Sequence, residues 1–360
     1  MTHACEAVAS STGPRPTYLP PRVEVGRWLQ ERDPRRLDQL WARADEVRRR
    51  YVGDEVHLRG LVEVSNHCVR QCHYCGLRAG RRALPRYRMN ADEVFACAQQ
   101  ARAFGFGTVV LQAGEDPVLS SDWVAEVVRR IKSTTGLAVT LSLGERTREE
   151  LEAWREAGAD RYLLRFETSD AGLFRAIHPS QAGRVRSRLS CLEELRSLGY
   201  EVGSGVMVGL PGQSYASLVD DLMLFREHDL DMIGIGPFIE HPDTPLGSVG
   251  RGPGEVPADE LMTTIMMALA RLACPQANIP STTALATLNV AQGRELGLCR
   301  GANVVMPDLT PTKYRRAYEI YPSKARWFET AEQCAACVRR RIESIGRRTG
   351  TGPGGRRRAA

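Results

Sequence analysis

The sequence predicts an α/β fold: a (β/α)8 TIM-type barrel with an N-terminal helical extension and a C-terminal helical segment. Three observations carry that expectation. Apolar strand-like runs fall at about 56–65, 108–113, 137–142, 160–167, 201–208, 231–238, 278–285 and 302–308. Amphipathic stretches of helical length fill the intervals, as at 91–104, 122–134, 148–157, 185–198, 215–228 and 257–272, the alternation of a parallel α/β chain. A cluster of cysteines directly follows the first run, where a barrel of eight such units would carry its chemistry. A doubly wound sheet is the competing arrangement, because alternation alone does not close a barrel.

In chain order, residues 1–21 are rich in Pro, Ser and Thr and are expected to be disordered. Helical periodicity marks an extension over 22–55, ending near Gly53. The barrel is expected over 56–320 and a C-terminal segment with a Cys-x-x-Cys pair over 321–346. An Arg/Gly tail, 347–360, is expected to be disordered. A chain of 360 residues with 42% hydrophobic content can bury one barrel-sized core or two small ones. No apolar run is long enough to cross a membrane, and the N-terminus lacks the layout of a signal peptide. Ten cysteines without an export signal imply a reducing compartment, with cytoplasm as the expected address. The net charge of +6 is local: residues 338–360 hold eight Arg and one Glu, +7, so the remainder sums to −1. A basic groove for nucleic acid is therefore not expected on the body.

The stretch Cys68-Val69-Arg70-Gln71-Cys72-His73-Tyr74-Cys75 places three thiols on one loop in C-x3-C-x2-C spacing. A four-iron cluster is usually held by four thiolates; three would leave one iron open, as catalysis requires. Zinc, completed by His67 or His73, is an alternative. A disulfide with a spare thiol is another.

Strand parity adds charge to the predicted interior. In 160–167, Tyr162, Leu164 and Phe166 share one face, and Arg161, Arg165 and Glu167 share the other. If the aromatic face packs on helices, two arginines and a glutamate point inward, which is costly without a partner or ligand. The alternative for Arg161 is a cap at the strand's beginning. Gly203, Gly205, Met207 and Gly209 share a face of the fifth run, as do Gly234 and Gly236 on the sixth. Glycine there leaves space, so a lumen is expected.

The cysteine spacing, with Tyr74 before its last Cys, resembles the signature of radical S-adenosylmethionine (SAM) enzymes. Ala113-Gly114-Glu115 resembles their Gly-Gly-Glu motif with alanine at the first glycine, and Gly205-x-Met207-x-Gly209 resembles their adenine-contacting segment. Within the superfamily the chain resembles FeFe-hydrogenase maturases of the HydE type. The stretches carrying this include Ser142-Leu143-Gly144-Glu145-Arg146, Gly158-Ala159-Asp160-Arg161, Val208-Gly209-Leu210-Pro211-Gly212-Gln213, His241-Pro242-Asp243-Thr244-Pro245 and Pro280-Ser281-Thr282-Thr283.

The resemblance implies a 4Fe-4S cluster on Cys68, Cys72 and Cys75. It implies SAM bound by Tyr74, Gly114, Glu115, Ser142, Glu145, Glu167, Arg188, Met207 and Gly236. Arg165 and Glu167 are the implied catalytic pair, and Arg161, Arg165, Thr282 and Thr283 would line the substrate end. The implied substrate is small, organometallic or amino-acid-derived: in this family, an iron complex with carbon monoxide, cyanide and cysteine. Implied partners are other hydrogenase maturases and a reductant such as ferredoxin or flavodoxin, with no membrane or nucleic acid. Some relatives bind an accessory cluster at the equivalents of Cys334 and Cys337, with a third cysteine where this chain has Arg326. Phe166 stands where some relatives have histidine. Two other readings stay open: a methylornithine-forming isomerase, and a non-catalytic iron–sulfur or zinc scaffold. Biotin synthase fits poorly, because no predicted strand carries a cysteine.

Overall fold

Among the described residues, strand β1 (Glu55–Ser65) is the longest of eight; β2 is Thr108–Ala113, β3 Ala138–Ser142, β4 Arg161–Leu163, β5 Glu201–Val208, β6 Met232–Pro237, β7 Val304–Val305 and β8 Arg348–Thr349. The computed structural model describes residues 17–179, 187–324 and 330–356. The first seven strands form one parallel sheet in the order β6-β5-β4-β3-β2-β1-β7. Residues 278–280 join its two edges by single bridges, Met232↔Asn278 and Pro280↔Val304. The eight expected strand positions thus close a barrel, and the doubly wound alternative does not hold.

Two strands are shorter than their apolar runs, for identifiable reasons. At the seventh position Pro280 has no N–H to give to a ladder, and Thr282 turns the chain by capping helix Thr283–Leu288 through the Leu285 amide. At the fourth, the Phe166 amide goes to the Ser204 hydroxyl, and Glu167 takes φ 67°.

Parity sets the interior. Alternate residues Arg59, Leu61 and Glu63 of β1, Gln112 of β2, Thr140 and Ser142 of β3, and Gly234 and Gly236 of β6 line a central cavity. Their neighbours Val62, Val109, Val139 and Ile235 are fully buried against the helices. Trp154, with no exposed surface, stacks near Tyr162, which meets Tyr200 edge-on. Phe166 packs on Phe225 in this outer layer, 5.7 Å between ring centres, so the residue replacing a relative's histidine faces away from the cavity.

The helices begin where the chain supplies caps. Asn90 and Glu93 form a capping box for helix Ala91–Ala103, and Thr147 and Glu150 another for Arg148–Glu156. The expected N-terminal extension is a pair of helices, Arg22–Leu29 and Pro34–Val52, the second opened by Asp33 with Pro34 in its first turn. Residues 1–16 lie outside the described residues. The expectation of disorder does not hold for 17–21: the Tyr18 amide donates to Leu272 O at 2.9 Å, and its hydroxyl meets that of Tyr51 at 2.9 Å.

The C-terminal tail is also ordered over 347–356, contrary to its composition. Strand β8 pairs with the start of β1, Glu55↔Arg348 and Val56↔Thr349. The chain then crosses the N-terminal mouth of the barrel. Pro353 O accepts from Thr108 Oγ1 at 2.9 Å and Arg161 Nη2 at 3.1 Å, and Gly354 O from Arg59 Nη2 at 2.9 Å. Arg356 pairs with Asp229 at 2.7 Å and Asp231 at 3.1 Å. An Arg/Gly composition reads as solvated, but here backbone carbonyls meet the buried donors of Thr108, Arg161 and Arg59. Residues 357–360 lie outside the described residues.

Candidate active site

The cysteine loop leaves the C-terminal end of β1 and is fastened on every side. Ser65 Oγ donates to Asp116 Oδ2 at 2.6 Å, and the same carboxylate takes Arg88 at 2.7 and 3.0 Å. The Asn66 amide spans Pro85 O and Ala317 O at 2.8 Å each, and accepts from the Tyr87 amide at 2.7 Å. The Val69 amide donates to Glu115 O at 2.9 Å and the Gly76 amide to Ile320 O at 2.8 Å. Two glycines are required. A Cβ on Gly76 would lie 2.1 Å from Glu319 O, and one on Gly114 would lie 2.2 Å from His67 O and 2.8 Å from the Cys68 Cβ. The Gly-Gly-Glu-like turn is therefore the bed on which the cysteine loop rests.

Cys68, Cys72 and Cys75 all line the cavity, about 340 Å³, inside the barrel. Burial raises all three thiols: Cys72 is pushed up to about 12, and Cys75 is raised further by its two neighbouring sulfurs. Metal binding would be needed to ionise them. Among the described residues, no three His, Cys, Asp or Glu side chains converge on a single-ion geometry. His67 and His73, which a zinc site would recruit, are not on the cavity wall.

Behind the loop runs an ion-pair chain. Arg70 Nε lies 2.9 Å from Glu115 Oε2, and Arg70 Nη2 lies 2.6 Å from Glu145 Oε2. Arg188 Nε meets Glu145 Oε1 at 3.1 Å, and its Nη1 approaches Glu167 Oε1 at 3.8 Å. Tyr74 Oη donates to Glu167 Oε1 at 3.3 Å, and Arg165 Nε lies 3.3 Å from Glu167 Oε2. Glu167 carries this role in a left-handed conformation that costs about 1–3 kcal/mol for a non-glycine residue. His178 Nε2 sits 2.6 Å from Arg188 Nη2; burial, then the arginine charge, drives the imidazole down to about 3.

Of the expected SAM-binding residues, Tyr74, Gly114, Ser142, Glu167, Met207 and Gly236 lie on the cavity wall with Arg165, Thr282 and Thr283. Glu115, Glu145 and Arg188 are not on that wall, and the ion-pair chain holds them against one another. Arg161 is a correction. It lies at the opposite end of the barrel, 2% exposed, bound to Glu201 at 2.6 Å, Thr108 at 3.0 Å and Pro353 O. Burial at the strand's beginning demanded fixed partners, and these remove it from any substrate face. Cys334 and Cys337 are on helix Ala331–Ser344, and Cys334 is packed in the main core, away from the cavity. Arg326 lies outside the described residues.

The cavity has a second charged pole that was missed. Glu63 Oε1 pairs with Lys324 Nζ, which also lies 3.4 Å from Asp308 Oδ2 and 5.5 Å over the Tyr318 ring. Gln112 Nε2 donates to Tyr318 Oη at 3.1 Å beside them. The alternation Arg59, Leu61, Glu63 in β1 could have signalled it. Lys324 could not have been found from pattern, since its stretch has no period.

The donor set fits a four-iron cluster and SAM. Three thiols, Cys72 buried and Cys68 and Cys75 half-buried, share one wall, with a glycine cradle beneath Cys68. Elsewhere on the wall, among the described residues, buried polar atoms lack hydrogen bonds: Arg59 Nε, Glu63 Oε2 and Thr140 Oγ1. Such atoms ask for a polar ligand.

A (β/α)8 barrel with this loop at its C-terminal face is that of a radical SAM enzyme. The radical SAM superfamily model matches residues 62–225. Within that class the chain belongs to the family of the FeFe-hydrogenase maturase HydE: the [FeFe] hydrogenase maturase subunit HydE of Thermotoga maritima is 50% identical over 321 residues, 89% of each chain. The 3-methylornithine synthase of Methanosarcina barkeri is 29% identical over 314 residues, 86% of this chain and 85% of its own. The crystal structure of methylornithine synthase (PylB) superposes with TM-score 0.80 at 25% identity, over 92% of this chain and 94% of that one. The maturase HydG shares the fold, with TM-score 0.73 at 19% identity over 91% and 71%.

Proposed function

We propose that this protein is a radical SAM enzyme of FeFe-hydrogenase maturation, acting on a small organometallic or amino-acid-derived substrate on the way to the di-iron subcluster. The observation that carries the reading is one cavity shared by Cys68, Cys72, Cys75, Arg165 and Glu167, in a chain half identical to a HydE maturase. When bound, a four-iron cluster on the three cysteines supplies an electron that cleaves SAM to a 5′-deoxyadenosyl radical.

The chain's own residues bind, orient and enclose. Glu167, fixed by Tyr74 and Arg165, presents a carboxylate at the cavity wall for SAM. Arg188 lies behind that wall, braced by Glu145 and 3.8 Å from Glu167, and binding the SAM carboxylate requires it to leave one of these partners. Gly236 and Gly234 keep the β6 wall flat, and Met207 offers an apolar surface to the adenine. Arg165, with Thr282 and Thr283, faces the substrate space. The tail across the barrel's far mouth excludes water, which a reactive primary radical demands. Other maturases and a ferredoxin- or flavodoxin-type reductant complete the proposed setting.

Anaerobically reconstituted protein with SAM and a strong reductant is expected to release 5′-deoxyadenosine. Added to the other maturases, it is expected to activate an immature FeFe-hydrogenase. Cluster-loaded protein that leaves SAM intact would sink the reading. The isomerase alternative draws on the PylB superposition; formation of 3-methylornithine from L-lysine, without hydrogenase activation, would favour it.

A further inference from the structure

Glu63 is the most deeply buried acidic group on the cavity wall, 1% exposed. Its surroundings are asymmetric. One carboxylate oxygen is taken by Lys324, while Oε2 is buried without a hydrogen-bond partner. The backbone around it is saturated: its amide donates to Thr310 Oγ1 at 2.9 Å, and its carbonyl accepts from Tyr87 Oη at 2.8 Å. The side chain is therefore held in place with an unused acceptor on the cavity. An unmade hydrogen bond at a buried carboxylate is costly, and a ligand donor would recover it.

The position of Glu63 across the barrel matters as well. β1 and β4 are separated by β2 and β3 on one side and by β5, β6, residues 278–280 and β7 on the other. Glu63 on β1 and Arg165 beyond β4 thus face the cavity from nearly opposite walls, with the cysteines above. A cavity with a guanidinium at one wall and an acceptor carboxylate at the other suits a small zwitterion.

We propose that Glu63 is a substrate-binding residue whose free oxygen receives the ammonium or N–H group of an amino-acid-type substrate, with Lys324 and Asp308 as positioning residues that aim it. This rests on the functional reading above and adds to it the requirement for a nitrogen donor on the substrate. Burial pushes Glu63 up to about 8, the Lys324 charge opposing and the Asp308 charge adding to it; Arg315 also faces the group and lowers it. Tyr87, Tyr318 and Tyr321 complete its titratable surroundings among the described residues. An incoming ammonium favours the ionised carboxylate, so nitrogen recognition strengthens as pH rises towards 8.

The test compares L-cysteine with 3-mercaptopropionate, which lacks only the amino group, by equilibrium binding to the reconstituted, SAM-loaded enzyme. Wild type is expected to prefer L-cysteine by about tenfold or more, with the ratio rising from pH 6.5 to 8. Glu63→Gln is expected to shrink the ratio to within about threefold and flatten its pH dependence. Should Glu63→Gln fail to fold, Glu63→Gln/Lys324→Met removes both buried charges together and carries the same expectation. An undiminished ratio in the folded variant overturns the proposal, as does a wild type that binds neither probe. Release of 5′-deoxyadenosine by wild type, measured in the same preparation, separates that failure from failure of the radical SAM reading.

Discussion

The guanidinium of Arg70 lies 2.9 Å from the carboxylate of Glu115, and both are about 5% exposed. Arg70 stands between the first two cluster cysteines, and Glu115 closes the turn at the end of β2. Their contact fastens the loop that carries the thiols to the barrel that aims them. Glu145 extends the clamp to β3, at 2.6 Å from Arg70.

Removing Arg70 leaves two buried carboxylates facing each other. Arg70→Met is expected to destabilise the protein by about 3 kcal/mol, the usual scale for breaking a buried pair. It is also expected to lower the iron bound per chain after reconstitution. Chemical denaturation and iron analysis check both. Unchanged iron content would show that the clamp does not position the loop.

The three cluster cysteines differ from the others by where they point. Alanine at Cys68, Cys72 or Cys75 is expected to abolish the iron–sulfur absorbance and 5′-deoxyadenosine release. Cys334→Ala, which trims a core side chain, is expected to cost about 1 kcal/mol and to keep both signals. Reconstituted absorbance and product chromatography decide it; a Cys72→Ala protein with full activity would refute the assignment.

Gly114→Ala tests the bed beneath the loop. Its added methyl would meet His67 O at 2.2 Å and the Cys68 Cβ at 2.8 Å. Overpacking of this kind costs about 1–3 kcal/mol, and here the yielding element is the cysteine loop. The barrel should remain folded by circular dichroism while cluster incorporation falls severalfold. Normal cluster content would show that the loop can ride over the methyl.

Much of this architecture was legible in the chain because it rests on local rules. Period-two alternation put Arg165, Glu167, Gly234 and Gly236 inward, and the C-x3-C-x2-C loop announced its own chemistry. What escaped depends on distant partners. Arg161 and Arg165 have the same parity, and only their different heights in the barrel separate a tail anchor from a cavity residue. Strand ends at Phe166 and Pro280 are set by a side-chain hydroxyl and a missing N–H, which period analysis does not weigh. The tail looked solvated because its acceptors are backbone carbonyls, invisible in composition. Lys324 reaches Glu63 across 261 residues of chain, and no local pattern marks that pairing.

His178 gives the site a pH signature. Its folded value, about 3, lies below the ordinary imidazole value, so between roughly pH 6.5 and 3 the unfolded chain binds the extra proton. Its contribution is complete above about pH 6.5 and is lost as pH falls, by at most about 1.4 kcal/mol per unit. His178→Gln should therefore lose less stability than wild type between pH 7 and 5. Denaturation curves at both pH values give the difference, which also removes the shared carboxylate titrations. Parallel losses would show that the histidine charges freely beside Arg188.

The tail across the barrel mouth makes the most quantitative prediction. Arg59 and Arg161 are 3% and 2% exposed, and burial lowers Arg59 to about 9, with the Arg161 charge adding to the effect. Carbonyls of Pro353 and Gly354 accept from both guanidinium groups. Deleting residues 350–360 takes those acceptors from both charges, at about 1.5–3 kcal/mol for each lost charged hydrogen bond. The truncated chain should be less stable by about 3 kcal/mol or more. Arg161→Met should cost less in the truncated chain than in the full one, because there it also removes a poorly satisfied charge. A double-mutant cycle measured by denaturation gives the coupling between tail and arginine. Zero coupling would mean that the tail merely lies on the barrel, and that Glu201 and Thr108 alone fix Arg161.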